Sequence, residues 1–414
     1  MTKQKSIAVI GGGPAGLMAA EQLFPQKTSG QVAPVVTVYD SMPTVGRKLL
    51  MAGKSGLNLT HSEDWPMFKG RYSSDETGLL SRALDQFTNT DAVALFSRYG
   101  IETFTGSSGR IFPNMMKAAP FLRAWIGDLT ARGVKLAPRH RLMALSCDKD
   151  HFTLTFNTPN GQITTTANSV ILACGGGSWA RLGSDGSWTD ILSKLGIKSP
   201  PFIPSNCGFK VNWSDYFKDK WAGEPVKSCY LMAGVTAITG DFVISHYGIE
   251  GSAVYGISRA VVRGAPLYID LSPKRTEAQI FKELSKPRGK NSLSNILRKR
   301  LNLRGVKVDL LRECLSKEDM QSAEKLATTI KACPIPITGP QPTDEAISTA
   351  GGLPLDLLDD HFMVKSCPGL FAAGEMLNWD APTGGYLLTA CWATGKAAGK
   401  GAADWLHTQG NLSS

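Results

Sequence analysis

Six residues near the amino end, Gly11-Gly12-Gly13-Pro14-Ala15-Gly16, constrain this chain more than any other feature of it. They follow a short apolar run, Ser6 to Ile10, that reads as a buried parallel strand, and they open Pro14 to Leu23, which reads as a helix. A strand that ends in glycines and turns directly into a helix leaves unpaired N–H groups and the positive end of the helix dipole at the turn, a cradle for phosphate. In that arrangement Gly11 permits the tight turn, Gly13 lets the backbone approach a pyrophosphate, and Gly16 lets helix and strand pack closely. Val35 to Tyr39 is the next strand, and Asp40 at its end can accept the ribose hydroxyls of an adenosine. The plainer alternatives are a glycine-rich turn and a turn-forming Asp. Strand, turn, helix, strand and acid within about forty residues favour a βαβ nucleotide fold instead.

Features far downstream favour FAD over NAD. Gly46-Arg47-Lys48 follows Asp40, the run Val170 to Cys174 with Ala173 leads into Gly175, and Gly369 to Gly374 is a late strand followed by Glu375. A second stretch of chain that returns to the same sheet is the pattern of FAD proteins of the two-dinucleotide-fold class. A second Gly-x-Gly-x-x-Gly after a strand is absent, so either NAD(P)H binds transiently over the flavin as electron donor, without a domain of its own, or the electrons come from another donor.

At 414 residues the chain exceeds one ordinary hydrophobic core, which predicts two or three domains. The basic start and the apolar run Ile7 to Phe24 superficially copy a signal peptide, but three glycines and Pro14 interrupt that run. With no stretch of roughly 18 apolar residues for a membrane span, the expectation is a cytoplasmic protein that does not enter a membrane. Eight cysteines are scattered without a Cys-x-x-Cys pair, and six histidines form no ligand spacing, so buried free thiols and no metal are expected.

Proline clusters mark the boundaries. Pro200, Pro201 and Pro204 precede short alternating runs such as Val235 to Ile238 and Phe242 to Ser245, and Pro334 to Pro342 closes the interval. The expected organisation is an α/β FAD-binding domain in two parts, 1–198 and 343–414, interrupted by a β-rich insert at 199–342. Within the insert a basic helical subdomain is expected at about 259–325, with helices at Glu277 to Leu284 and Leu293 to Leu301. Between Arg259 and Lys307 thirteen Lys or Arg stand against three acids, Asp270, Glu277 and Glu283, so this window carries the whole net charge of +10. Such a segment could grip RNA phosphates, though most charge runs are solvated helix faces. Few aromatics interleave the charges, which disfavours a base-stacking platform.

Several short motifs in order resemble the BaiN-like (YhiN-like) family of bacterial FAD flavoproteins. They are the stretch from Gly46 through Asn58 to Thr60, Gly109-Arg-Ile-Phe-Pro113, Leu172 to Ser178, Ser245 to Ala253, Ala350-Gly-Gly352 and Gly374 to Tyr386. The resemblance implies an FAD domain interrupted by a β-barrel insert with a helical piece. It also implies reduction of conjugated C=C bonds, in branches associated with steroid enones or with a uridine of ribosomal RNA. One departure matters: the loop usually reads Gly-Arg-Cys-Asn, and here it is Ser55-Gly56-Leu57-Asn58, so Leu57 replaces a thiol.

The expected chemistry is hydride transfer from reduced flavin to the β-carbon of an electron-poor alkene, with an acid protonating the α-carbon. Thr383-Gly384-Gly385, at the start of a helix, could aim amides at the flavin edge where negative charge develops, with Tyr386 beside them. Candidate acids are His246, Tyr247 and Tyr386, although a lone His or Tyr in a strand or turn is more often structural, with His61 weaker. Asn58 and Thr60 are read as flavin-ring hydrogen-bond partners. The alternatives to an enone or RNA-uracil reductase are a flavin oxidase or dehydrogenase of a small metabolite and a non-catalytic RNA-associated flavoprotein.

Overall fold

The computed structural model describes residues 4–24, 33–54, 56–148 and 151–411, so Ser55 of the loop motif lies outside the described residues. The chain divides into two units. One comprises residues 1–203 and 348–414, the other 204–347, each edge five residues past the one read from the proline clusters.

The first unit is built on a five-stranded parallel sheet. Its order is Leu370–Ala372, Ser169–Leu172, Ser6–Ile10, Val35–Asp40 and Lys135–Pro138. Val9 pairs with Ile171 on one side and Val38 on the other. All three are fully buried, as a central strand covered on both faces requires. Asp40, the first glycine turn and the late Gly374 therefore sit at the carboxyl ends of strands of this one sheet, where open α/β sheets bind ligands.

Helix Pro14–Gln22 starts with Pro at its first turn, where the missing N–H is harmless. Its buried residues include the small Ala15, Gly16, Ala19 and Ala20, and the long last helix, Tyr386–Asn411, lies against it. A Cβ on Gly395 would stand 2.3 Å from the Ala15 carbonyl oxygen, and one on Gly399 2.5 Å from that of Ala19. Only glycine permits this approach. An antiparallel three-stranded sheet, Arg141–Cys147, Phe152–Thr158 and Gly161–Ala167, is attached to the unit. A second small sheet pairs Thr60–His61 with Arg110–Pro113 and the latter with Thr103–Thr105.

The second unit is a seven-stranded antiparallel sheet. Its order is Cys333–Ile335, Leu267–Asp270, Pro225–Ala233, Thr236–Ser245, Gly248–Glu250, Phe209–Val211 and Ile337–Pro340. The two edge strands are separated in sequence by Pro336 alone, so the sheet curls back on itself and is nearly closed. The two alternating runs at 235–238 and 242–245 are one strand of ten residues. Gly240, which suggests a break, instead admits helix Ser252–Val262, because a Cβ there would lie 3.0 Å from that of Ala253.

Helices Glu277–Leu284 and Leu293–Leu301 stand where the sequence places them, started by Thr276, in a capping box with Gln279, and by Ser292. The helical part nevertheless differs from 259–325. Leu267–Asp270 is a sheet strand, with Leu267 and Ile269 buried either side of exposed Tyr268, and helices Val306–Cys314 and Ala323–Lys331 carry the segment further. Among the described residues no helix is long and apolar enough to cross a membrane, and no cluster of His, Cys, Asp or Glu has the makings of a metal site. Cys147 is exposed, unlike the buried thiols expected throughout.

Candidate flavin site

The three glycines of the first turn do different work. Gly11 has φ +105°, and a Cβ on it would lie 2.2 Å from the Ala173 carbonyl oxygen. One on Gly16 would lie 1.9 Å from the Gly11 oxygen. Both are required by the protein's own packing, with Gly16 clasping helix to strand. A Cβ on Gly13 would meet nothing within 4 Å. That position faces open space at the amino end of the helix, where a diphosphate needs close backbone approach.

Asp40 shapes the same turn. Its Oδ2 accepts the Gly12 N–H at 2.9 Å and its Oδ1 accepts the Met42 N–H at 2.7 Å. Burial pushes its carboxyl above the ordinary value, opposed by the bonds from Met42 and Gly12 and by nearby Arg47. A ribose hydroxyl can still reach the remaining lone pairs.

These residues open onto a cleft of about 980 Å³, counting its mouth. Gly11, Gly13, Pro14 and Ala15 form its floor, Asp40, Arg47 and Lys48 one side, and Ala173, Gly175, Gly374 and Glu375 the other. Arg47 also donates from Nε to Thr44 at 3.2 Å. Lys48 donates from Nζ to Ser178 Oγ at 3.0 Å and pairs with Glu375 at 2.5 Å, so it acts here as a tie between the two walls. Several further lining residues carry no motif of their own. Arg141 and Asp185 pair at the rim, and Trp188 donates to the Gly175 carbonyl at 2.9 Å. The turn residues Gly183-Ser-Asp-Gly186 just before Trp188 are the one signal for them in the sequence. Cys174 and Cys391 also line the cleft, and burial pushes both thiols up, Cys174 to about 12, so neither is a ready nucleophile.

A second group of residues gathers where the last helix begins. Gly384 and Gly385 have φ of +138° and +90°, and a Cβ on Gly385 would lie 2.3 Å from Thr60 Cα. Thr383 is itself engaged in an interaction. Thr60 is fully buried, and its hydroxyl meets that of Thr389 at 3.0 Å, so it secures the helix start rather than offering itself to a ring. Asn58, two residues earlier, keeps a buried Oδ1 with no partner. An orphaned buried acceptor is costly, and an N–H of a bound flavin ring would satisfy it. Leu57 is 1% exposed and belongs to the hydrophobic core, so nothing at that position can give a proton.

Tyr386 is 4% exposed, packed against Phe68 and His61 with ring centroids 4.7 and 5.6 Å away. Its hydroxyl donates to Glu63 Oε1 at 2.5 Å, and its carbonyl accepts the Tyr72 hydroxyl at 2.7 Å. Burial and then Glu63 push the phenol up. Arg71 grips Glu63 through Nε at 3.1 Å and Nη2 at 2.7 Å. Burial opposes it, but the hydrogen bonds from Arg71 and Tyr386 hold Glu63 below the usual carboxylate range. His61 Nδ1 accepts the Glu63 N–H at 3.1 Å, and Nε2 lies 2.9 Å from the Ser108 carbonyl. A carbonyl only accepts, so Nε2 is the donor to Ser108 and Nδ1 the acceptor from Glu63. Glu63 and Arg71 escape sequence reasoning, because no spacing joins them to Tyr386.

His246 and Tyr247 belong to the second unit. His246 is exposed in the turn between Thr236–Ser245 and Gly248–Glu250. Tyr247 is half-buried and donates its hydroxyl to Glu250, and burial together with that partner pushes its phenol up.

The open space at Gly13, the half-buried acid at Asp40 and the orphan acceptor at Asn58 fit FAD. A family model described as the HI0933-like protein Rossmann domain matches residues 5–401. The chain is 28% identical to the 3-dehydro-bile acid delta(4,6)-reductase of Clostridium scindens, covering 96% of this chain and 99% of the relative. It is 25% identical to the ribosomal RNA dihydrouridine synthase of Haemophilus influenzae, covering 96% and 98%. Among solved structures, a quinol fumarate reductase chain of E. coli is 15% identical, with a TM-score of 0.50 over 99% of this chain and 71% of that one. The Sdh1 complex of Mycobacterium smegmatis in its apo form reaches 0.51 at 15% identity over 98% and 68%. At that identity the two structures bear on the fold alone.

Proposed function

The chain belongs to the HI0933-like family of Rossmann-fold flavoproteins and is an FAD-dependent oxidoreductase, and from that premise we propose that it reduces a C=C bond conjugated to a carbonyl. The names of its relatives carry the reading. A bile acid delta(4,6)-reductase and a dihydrouridine synthase both saturate an alkene next to a carbonyl, and each matches almost end to end. When bound, FAD supplies the hydride. The protein's own part is to orient the cofactor and place polar groups around the reacting carbons. NAD(P)H is proposed as the electron donor.

The cations of the insert favour a uracil in RNA as substrate over a small enone. Two groups of cations can be told apart in the basic window. Arg300 caps the carbonyls of Glu283, Lys286 and Pro287 at 2.9, 3.0 and 2.8 Å, Arg288 that of Gln321, and Lys307 that of Leu271, so these three stabilise the fold. Arg263, Lys274, Lys282, Lys290 and Arg304 are exposed and have no acidic partner among the described residues. Cations left free beside others already spent on structure are what a phosphate backbone would meet.

The test is mass spectrometry of ribosomal RNA from a strain lacking the gene, seeking a uridine that carries two extra hydrogens only when the gene is present. In parallel, the purified protein is reduced anaerobically by NADPH and reoxidised by enones or by uridine-containing RNA. If neither reoxidises it, C=C reduction is refuted. Reoxidation by enones alone moves the substrate to a small molecule.

A further inference from the structure

Resting on the C=C reductase reading, we propose that Arg110 is the residue that binds the carbonyl oxygen of the substrate and stabilises the negative charge that develops there.

Arg110 opens the strand Arg110–Pro113, whose antiparallel partner is Thr60–His61, with Arg110 directly opposite His61. Directly opposed residues of an antiparallel pair place their side chains on one face, with Cβ atoms roughly 5 Å apart. The turn before it is drawn in tightly. Gly109 has φ +79°, and a Cβ there would lie 2.5 Å from the His61 ring. His61 in turn stacks on Tyr386, the first residue of the last helix. Thr60, beside His61, is the residue against which Gly385 closes, and Asn58 with its orphan acceptor is two residues further back. Arg110 is thus built into the group of residues that surrounds the start of the last helix.

The other polar side chains described above are already engaged. Lys48 is held by Glu375 and Ser178, and Arg71 by Glu63. Both nitrogens of His61 are committed, and so is the Tyr386 hydroxyl. Glu63, the carboxylate of this cluster, already holds Arg71 and Tyr386. Arg110 is half-buried, yet its guanidinium makes no ion pair or hydrogen bond among the described residues. A partly desolvated cation without a partner is unfavourable in the unliganded protein and favourable once an oxyanion arrives.

The reaction supplies that oxyanion. Hydride arriving at the β-carbon forms a C–H bond and breaks the C=C π bond, whose electron pair moves through the α-carbon to leave an enolate with its charge on the carbonyl oxygen. Protonation of the α-carbon, by an acid of the protein or by water, restores the C=O. A guanidinium donates to the oxygen throughout and more strongly in the enolate, which is the differential binding that catalysis needs. The same contact serves an enone or the carbonyl of a uracil.

The test uses the full-length, FAD-loaded protein and two variants, Arg110→Gln and Arg110→Lys. Binding of a 3-keto-4-ene steroid and of a uridine-containing RNA oligonucleotide to the oxidised protein is followed through the flavin spectrum, and reoxidation of the reduced protein by each is timed. Arg110→Gln is expected to weaken binding of whichever probe the wild type takes by ~10-fold and to slow reoxidation by ~100-fold. FAD uptake and thermal stability should be unchanged, and Arg110→Lys should restore part of both losses. Equal binding and reoxidation in wild type and Arg110→Gln would overturn the assignment and leave the reductase reading standing, as would loss of FAD from the variant. A wild type that neither binds nor is reoxidised by either probe would overturn both.

Discussion

Lys48 Nζ lies 2.5 Å from Glu375 Oε2, an ion pair between residues 327 positions apart that joins the two walls of the cleft. The side chains are 25% and 13% exposed, so the pair is largely removed from water. Removing one partner strands the other. Lys48→Met or Glu375→Met alone should cost about 2 kcal/mol, somewhat below the cost of breaking a fully buried pair. The double variant should lie closer to wild type than the two losses added together. A double-mutant cycle by urea unfolding measures this, and strictly additive losses would show that the tie carries no coupling.

The glycine turn makes a sharper prediction. Gly16→Ala pushes a methyl to within 1.9 Å of the Gly11 oxygen and should destabilise the apoprotein by more than about 3 kcal/mol. Gly13→Ala meets no protein atom within 4 Å, so the apoprotein should keep its melting temperature while FAD affinity falls by ~100-fold or more. Thermal melts without cofactor, set beside flavin absorbance after gel filtration, separate the two effects. Equal damage from both variants would place the diphosphate elsewhere.

Much of the cofactor cleft is legible in the amino-acid sequence, because its parts are local patterns. The strands Ser6–Ile10 and Val35–Asp40, the glycine turn between them and the late Gly374 are of this kind, and each residue they offer to the cofactor lines the cleft except Gly16, which clasps helix to strand. Contacts between distant segments leave no such trace. Thr60 reads as a ring partner because it is polar and near Asn58, but its hydroxyl is taken by Thr389, 329 residues away. Glu63, Arg71 and Tyr386 form one network only because the last helix returns to the loop after Asn58. Gly240 has the look of a strand break, and only the helix packed over it supplies the reason for its missing side chain.

Glu63 should leave a mark on acid stability. Its carboxyl titrates below the usual range in the folded protein, so the stability it contributes is full above the unfolded value of about 4.3 and is lost as pH falls through the lower folded value. Glu63→Gln removes that contribution. Between about pH 5 and pH 3 its melting temperature should therefore fall less steeply than that of wild type, although it starts lower at pH 7. Parallel curves would mean that Glu63 is not ionised against Arg71 and Tyr386.

In the insert, the two groups of cations should respond differently to alanine. Arg300→Ala uncaps three carbonyls and should lower stability by about 2 kcal/mol. Lys282→Ala, Lys290→Ala and Arg304→Ala should each leave stability within ~0.5 kcal/mol while reducing the salt slope of RNA binding by ~1. Filter binding across a salt series reads the slope, and an unchanged slope in the triple variant would remove RNA from these side chains.

The close seating of Gly395 and Gly399 on the first helix has a consequence for how the protein is made. Helix Pro14–Gln22 leaves the ribosome long before helix Tyr386–Asn411, whose glycines seat against it. At ~5–20 residues per second the amino end waits tens of seconds for that partner. A nascent chain arrested short of Gly395 should be unable to retain flavin, which makes cofactor loading an event that follows synthesis of the last helix.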